Sequence, residues 1–263
     1  MSGRYISLDG TYARTVHKSG QCICQDGTYI GTVHMSGQYT LRDPIAVSYI
    51  NQITNSTGII VKAKSKWLNA LHIRGSISDI ENLENLAFVD HIEFANKTLN
   101  STNLERTSSH QKENSFNKNL EAQAVFGYGN SNNQIEMLNG HLLHQQDYTG
   151  SGKIIAVMDT GFVGVDTTEP FQRLQTNNLI LGGYDFVNSN NNFYSGGSHG
   201  TTVLSTMGGY VENQLIGTAP DAHYYLFITE DINAENPVEE SFWVEAAEEA
   251  DRLGADIINT SLG

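Results

Sequence analysis

Short apolar runs and helix-like segments alternate through the second half of the sequence. The run from Ile154 to Met158 is apolar throughout and ends abruptly on Asp159, a pattern typical of a strand that is buried on both faces. Three further segments of strand type follow it along the chain: "LILGGYDFV", "HYYLFIT" and "ADIINTSLG". Strands that are separated by helical segments predict a parallel α/β sheet.

Two helices are predicted between these strands. The first lies in "SHGTTVLSTMGG", where the pair of glycines at the end is expected to stop the helix. The second begins after Asn236, which can cap a helix, has Pro237 at its first position, and ends at Gly254. Its apolar face is formed by Phe242, Ala246, Ala250 and Leu253.

Residues 43–98 have the pattern of a smaller α/β unit. Apolar residues at helical spacing start it, and a second helix is expected in "SDIENLENLAF", where Ser78 and Glu81 have the spacing of a capping box. Three strands are predicted in this unit, in the segments "GIIVKAK", "KWLNALHI" and "FVDHIEF". Residues 99–134 are rich in Asn, Ser, Lys and Glu with little periodicity, which is typical of an exposed polar linker.

Residues 1–42 contain a tandem repeat with a period of 17 residues, "SGRYISLDGTYARTVHK" followed by "SGQCICQDGTYIGTVHM" and the start of a third copy. Short strands joined by Ser-Gly and Asp-Gly turns, or disorder, are both compatible with so few copies. His17 and His34 recur at the period, and we interpret them as surface residues copied with the repeat rather than as metal ligands. Cys22 and Cys24 are too close for an unstrained disulfide.

Composition and charge narrow the range of partners. The 263 residues are 39% hydrophobic, which is enough for a real core. The formal net charge of −14 argues against nucleic acid and anionic membranes as partners, because both need a basic face. The sequence has no apolar run long enough to span a membrane, and its first residues lack the order of a signal peptide.

Asp159 is the first candidate for chemistry, because a buried carboxylate is costly unless another group pairs with it. The candidate partner is His199 in "SHGTT", at the start of a predicted helix. A carboxylate at the carboxyl end of a parallel strand can hold a histidine in one tautomer and stabilise the imidazolium that forms during proton transfer. Open α/β sheets bind their ligands at that same edge.

Four segments together resemble the subtilisin-like serine proteases. "GKIIAVMDTGF" is similar to the aspartate motif of that family, "SHGTTVLSTMGG" to its histidine motif and "GTAPDA" to the turn that follows. The fourth, "AEEADRLGADIINTSLG", resembles the helix and strand that lead to a substrate-binding Ser-Leu-Gly. The order of aspartate before histidine is also that of the family. The resemblance covers residues 135–263 and, more loosely, residues 43–98.

The resemblance implies a fold, an activity and a set of site residues. Residues 135–263 would be the N-terminal part of a parallel-sheet subtilisin-like catalytic domain, and residues 43–98 a ferredoxin-like βαββαβ propeptide that docks on it, with its first strand in the repeat region. The implied catalytic residues are Asp159 and His199, and the implied substrate-binding residues are Ser261, Leu262 and Gly263. The family acts on protein or peptide substrates, is mostly extracellular, and includes many members that bind calcium.

The sequence departs from the family pattern in one respect. The motifs that hold the serine nucleophile and the oxyanion-hole asparagine would follow the Ser-Leu-Gly strand, and neither occurs in these 263 residues. The chain therefore resembles the N-terminal part of a protease, and we expect it to be inactive alone. A non-catalytic binding or inhibitory protein, built from the same two parts, is the alternative.

Two other interpretations are weaker. "GGSHG" matches the nucleophile elbow of an α/β-hydrolase with Ser198 as nucleophile, but loop sequence precedes it where that family needs a strand. "GSGK" lacks the Ser or Thr of a phosphate-binding loop, and its strand follows instead of preceding it.

Overall fold

Two four-stranded sheets organise the chain in a computed structural model that describes residues 28–36, 45–100, 126–233 and 237–261. The strands are β1 (Tyr29–Met35), β2 (Ile60–Ser65), β3 (Ala70–Gly75), β4 (Val89–Phe94), β5 (Ile154–Asp159), β6 (Ile180–Asp185), β7 (Tyr210–Val211), β8 (Leu215–Ile216), β9 (His223–Ile228) and β10 (Ile257–Thr260). The helices are α1 (Val47–Thr54), α2 (Ile77–Glu81), α3 (Asn132–Met137), α4 (Gly140–His144), α5 (Gln172–Thr176), α6 (His199–Gly208) and α7 (Val238–Arg252).

The first sheet is antiparallel and has the strand order β2-β3-β1-β4. Along the chain its elements follow in the order strand, helix, strand, strand, helix, strand. One face of the sheet packs against α1 and α2. The fully buried residues of this core are Val33, Ile53, Leu71, Ile73 and Ile80.

Strand β1 lies inside the repeat region, before the boundary that the sequence predicted at residue 43. It comprises the last 7 residues of the second repeat copy, and it pairs with both β3 and β4. The strand buries Gly31 and Met35, where the first copy has Arg14 and Lys18. A Cβ atom at Gly31 would already lie 3.5 Å from the Ile80 side chain, so the second copy suits this position and the first does not. Residues 1–27 lie outside the described residues.

Replacing Gly31 by arginine, the residue of the first copy, should destabilise this sheet. The substitution would bring an unpaired charge against Ile80 in the core, and we expect the free energy of unfolding to fall by about 2–4 kcal/mol. Urea denaturation followed by tryptophan fluorescence measures the change. Gln52→Arg, on the exposed side of α1, is the control and should change the stability by less than about 0.5 kcal/mol. Equal stabilities of the two variants would contradict our account of β1.

Two local predictions for this unit were wrong. Helix α2 is capped by Ser76, whose Oγ accepts a hydrogen bond from the Asp79 amide at 3.1 Å, so the cap lies two residues before the predicted Ser78. The segment "KWLNALHI" begins with a turn over residues 66–69 and becomes a strand only at Ala70. The turn contains Asn69 in the left-handed conformation (φ 48°), which asparagine tolerates better than most residues.

The second sheet is parallel and has the order β10-β5-β9-β6, which confirms the predicted α/β class. Strand β5 lies between β10 and β9, and all of its residues except the first are buried, as its apolar sequence indicates. Helix α6 covers one face and α7 the other. Leu204 of α6 packs with Val157 and Leu226, whereas Phe242 of α7 packs with Met158 and Phe227.

The segment before β5 is structured earlier than the predicted start at residue 135. The Asn130 amide donates a hydrogen bond to the Gln214 carbonyl at 2.9 Å, and α3 begins at Asn132. The side chain of Ser131 contacts the backbone of Ile216. These bonds attach the segment to β7 and β8. Residues 101–125, most of the predicted linker, lie outside the described residues.

The two sheets meet at α7. Glu248 of this helix is 6% exposed, and its carboxylate accepts hydrogen bonds from the Ser65 hydroxyl (2.6 Å), the Lys66 amide (2.9 Å) and the Trp67 amide (3.0 Å). Ala63 of β2 packs in the same core as α7. Glu248 therefore fixes the turn between β2 and β3 against the second sheet.

Candidate active site

Asp159 is the last residue of β5 and is completely buried. Its Oδ1 atom accepts hydrogen bonds from the Thr160 amide at 2.7 Å and from the Thr160 hydroxyl at 3.2 Å. A carboxylate that receives several hydrogen bonds can stay ionised inside a protein. These bonds also fix the direction of the side chain, because the next residue along the chain holds one of its oxygens.

His199 is the first residue of α6, on the helix that packs against β5. Its Nδ1 atom lies 2.8 Å from Asp159 Oδ1 and 3.0 Å from Asp159 Oδ2, although the two residues are 40 positions apart. The His199 side chain is 55% exposed while that of Asp159 is 0% exposed. The pair therefore joins a buried carboxylate to an imidazole that substrate can reach.

Glycines allow the helix and the strand to approach so closely. A Cβ atom at Gly200 would lie 2.4 Å from the Gly161 carbonyl oxygen and 2.8 Å from the Asp159 Cβ. Gly161 has φ 150°, and a Cβ atom there would lie 2.2 Å from the Ser195 carbonyl oxygen. A side chain at Gly200 would separate the start of α6 from the end of β5, and one at Gly161 would displace the loop that leads into α6. The glycines that follow Asp159 and His199 in sequence are thus part of the site.

The geometry fixes which ring nitrogen is available for proton transfer. The ionised carboxylate can only accept, so His199 Nδ1 donates its hydrogen to Asp159. Nε2 of the neutral ring is then an acceptor on the accessible side of the imidazole. Such a histidine can take a proton from a hydroxyl group, and Asp159 stabilises the resulting imidazolium.

Of the three predicted substrate-binding residues, only Ser261 is described. It directly follows β10 and is exposed. Because β10 runs parallel to β5, with Thr260 opposite Met158, Ser261 lies at the same edge of the sheet as Asp159. Leu262 and Gly263 lie outside the described residues, and the binding role of all three stays a prediction.

Ser198 does not have the surroundings of a hydrolase nucleophile. It precedes α6, and residues 191–197 before it form loop structure with one isolated bridge between Gly161 and Gly196. A nucleophile elbow needs a strand directly before the serine. The phosphate-loop interpretation fails similarly, because Lys153 pairs with Asp256 at 2.8 Å and β5 follows it.

Family models match both halves of the chain. The "Subtilase family" model matches residues 150–263, which include Asp159 and His199, and the "Peptidase S8 propeptide domain, Bacteroidota" model matches residues 34–115. The chain therefore resembles the subtilase family over residues 150–263. The propeptide match begins within β1, in agreement with the place of that strand in the first sheet. We therefore call the first sheet with α1 and α2 the propeptide unit, and the part from residue 126 onward the subtilase unit.

Similarity to individual proteins covers part of their length. Subtilisin E of Bacillus subtilis (strain 168) is 33% identical over 132 residues, which are 49% of this chain and 32% of Subtilisin E. Subtilisin of Bacillus pumilus is 32% identical over 132 residues, or 44% of its length. The chain thus spans about a third to less than half of the length of the curated relatives that it matches.

Two solved structures share the fold. The epidermin leader peptide processing serine protease of Staphylococcus aureus has a TM-score of 0.54 at 13% identity, covering 89% of this chain and 49% of that one. Fervidolysin of Fervidobacterium pennivorans has a TM-score of 0.50 at 18% identity, covering 90% and 36% respectively. At these identities the likeness concerns the fold alone.

Metal-ligand clusters and membrane-spanning helices are both absent from the part of the chain that the structure describes. The described residues contain no group of three or more His, Cys, Asp or Glu side chains that could hold a metal ion. No helix among them is both long and apolar enough to cross a membrane. Calcium binding stays a prediction from the resemblance to the family.

Two contributors to the site were missed in the sequence analysis. Thr160 orients Asp159 through its amide and hydroxyl, and Gly200 gives α6 its close approach to β5. Both were visible as neighbours of the candidate residues in "DTG" and "SHG". Their roles depend on distances across the chain, which local pattern does not supply.

Proposed function

We propose that this chain is the propeptide and the N-terminal part of the catalytic domain of a serine endopeptidase. The observation that carries the proposal is the contact of 2.8 Å between His199 Nδ1 and the buried Asp159 carboxylate, at the carboxyl edge of a parallel sheet. The similarity of residues 150–263 to the subtilase family supports the same proposal. The serine nucleophile would lie outside residues 1–263.

In the proposed reaction His199 moves the proton. Its Nε2 atom takes the proton of the serine hydroxyl while the serine oxygen forms a bond to the peptide carbonyl carbon. His199 then gives that proton to the nitrogen of the leaving amine as the peptide bond breaks. Asp159 remains ionised throughout and holds the imidazole by accepting from Nδ1. In the second half of the reaction His199 takes a proton from water while the water oxygen attacks the carbonyl carbon of the acyl-enzyme. His199 then returns the proton to the serine oxygen as the ester bond breaks.

The proposed substrates are proteins or peptides in extended conformation. Ser261, Leu262 and Gly263 follow β10, which is an edge strand of the sheet in the described residues. An extended peptide can pair with the backbone of such an edge through strand addition. By resemblance to the family, we also propose that the protein is secreted.

A fluorophosphonate probe tests the proposal, because it labels only activated serines. Residues 1–263 alone should remain unlabelled and hydrolyse no peptide above background, since they supply the histidine without the nucleophile. A longer version of the protein that extends beyond Gly263 should be labelled at one serine in that extension. Heat-denatured protein is the control for non-specific labelling.

Two outcomes would contradict the proposal. Stoichiometric labelling of Ser198 in residues 1–263 would favour the hydrolase interpretation instead. A longer version that folds, has released its propeptide unit and still takes no label would favour a non-catalytic binding or inhibitory protein.

A further inference from the structure

One face of the propeptide sheet carries three histidines. His34 of β1 lies directly opposite His91 of β4, and their rings stack with centroids 4.2 Å apart. His72 of β3 lies opposite Thr32, two residues from His34 along β1. Because alternate residues of a strand share a face, all three histidines point away from the core formed with α1 and α2.

The same face rests on α7 of the subtilase unit. His72 is 8% exposed, and its Nδ1 atom hydrogen-bonds the Ser241 hydroxyl of α7. Within the described part of the chain, His72 Nε2 is buried and lacks a hydrogen-bond partner. When the ring is neutral, Nε2 is one uncharged polar atom without a partner, and the free-energy cost of burying it is small compared with that of a buried charge. A protonated ring would bury a second N–H donor and a full charge.

The charged groups around His72 offer it little compensation. Lys62 of β2 repels a proton on the ring. The Glu245 carboxylate of α7 lies 3.7 Å from the Lys64 ammonium group. The Glu248 carboxylate accepts hydrogen bonds from the Ser65 hydroxyl and from the backbone of the turn between β2 and β3. The carboxylates of α7 that face the propeptide unit are therefore already paired with other groups of that unit.

His34 has a more mixed environment. Its neighbours on β4 are His91, which disfavours a proton on His34, and Asp90 and Glu93, which favour one, and it also contacts the backbone of Leu68. Burial is the largest influence and lowers the pKa of His34 below its ordinary value, with His91 next. All of these neighbours belong to the propeptide unit, so a proton on His34 affects that unit itself and not its contact with α7.

We propose that His72 is a pH-sensitive latch, and that its protonation loosens the propeptide unit from α7. The latch rests on the docking contacts and not on the proposed catalysis. Its consequence is that the propeptide unit stays docked at neutral pH and is released as the medium becomes acidic.

The sign of the effect follows from the two states of His72. Burial, with Lys62 second, lowers the pKa of docked His72 from 6.5 to about 4. The undocked side chain would regain an ordinary pKa near 6.5. Above about pH 6.5 His72 is neutral in both states, so its titration does not change the affinity of docking. As the pH falls from 6.5 towards 4, protonation of undocked His72 weakens docking. Below about pH 4 His72 is protonated in both states, and its titration weakens docking no further. Between pH 7.5 and 5.0 we expect docking to weaken on the order of tenfold.

Hydrogen exchange on the whole chain tests the latch. The amides of Lys66 and Trp67 are bonded to Glu248 only while the propeptide unit is docked. After correction for the intrinsic exchange rate, their protection should fall on the order of tenfold from pH 7.5 to pH 5.0. In His72→Asn, whose side chain cannot be charged but can still bond Ser241, most of this fall should disappear. His223→Gln, in the second sheet, is the control and should behave as the unmodified chain.

Two results would overturn the proposal. If the protection of the Lys66 and Trp67 amides is constant from pH 7.5 to pH 5.0, docking does not depend on pH. An equal fall in His72→Asn would assign the pH dependence to a carboxylate such as Glu248. If His72→Asn fails to fold, the NMR titration of the His72 ring in the unmodified chain decides: a pKa near 6.5 in the docked state contradicts the latch, and one well below it supports the latch.

Discussion

Replacing His199 by alanine in a version of the protein that includes its serine nucleophile should lower kcat by about 10⁶-fold, the scale that loss of the histidine has in subtilisin. Without the imidazole no group can take the proton from the serine hydroxyl at neutral pH. Asp159→Asn should cost less, about 10⁴-fold, because the amide can no longer hold the ring in the tautomer that leaves Nε2 free to accept. Initial rates with a peptide substrate under saturating conditions measure both.

The accompanying controls separate catalysis from folding. His223→Gln removes a histidine of the same unit that lies on β9, and it should leave kcat unchanged. Thr160→Ala removes only the 3.2 Å bond of the hydroxyl and leaves the amide bond in place, so we expect a loss of about tenfold or less. A full loss in His223→Gln, or none in His199→Ala, would show that the pair is not the proton-transfer machinery.

Replacing Glu248 by alanine should have the largest effect on docking of the propeptide unit. The substitution leaves the Ser65 hydroxyl and the Lys66 and Trp67 amides without their acceptor in a contact where Glu248 is almost fully buried. Hydrogen bonds to charged groups contribute about 1.5–3 kcal/mol each, and the losses are not additive, so we expect about 3–5 kcal/mol in total. Urea denaturation and exchange of the Trp67 amide both measure the change.

The neighbouring residue on the helix is a matched control for this prediction. Glu249 pairs with Arg252 one turn away, and the arginine is largely exposed. Exposed ion pairs at this spacing contribute little, so Glu249→Ala should change stability by less than about 0.5 kcal/mol. Equal effects of the two substitutions would mean that the loss reflects helix charge rather than the turn that Glu248 holds.

The candidate site was predictable because two local signals converge on one edge of a sheet. The apolar run before Asp159 identifies a buried parallel strand, and the carboxyl ends of such strands share an edge. The helix pattern after His199 places it at the start of an element packed on that strand. The distance between them then follows from topology, and the structure has the two side chains in contact.

Features that depend on contacts distant in sequence were not predictable in this way. The two repeat copies have nearly the same local pattern, and the burial of Gly31 and Met35 in the sheet, where the first copy has Arg14 and Lys18, distinguishes the second copy from the first. Helix α7 carries several glutamates at similar spacing, and nothing local distinguishes the buried Glu248 from the exposed side of the helix. Its partners, Ser65 and the turn that follows, lie more than 180 residues away.

We propose that His199 is the proton-transfer residue of a serine endopeptidase, and labelling with a peptidyl chloromethyl ketone tests this role. This reagent binds as a peptide and alkylates the ring nitrogen that faces the reacting carbonyl. Mass spectrometry of the inactivated longer protein should locate one adduct on His199, at Nε2, and Asp159→Asn should slow its formation. An adduct on any other histidine, or inactivation that leaves His199 unmodified, would contradict the account.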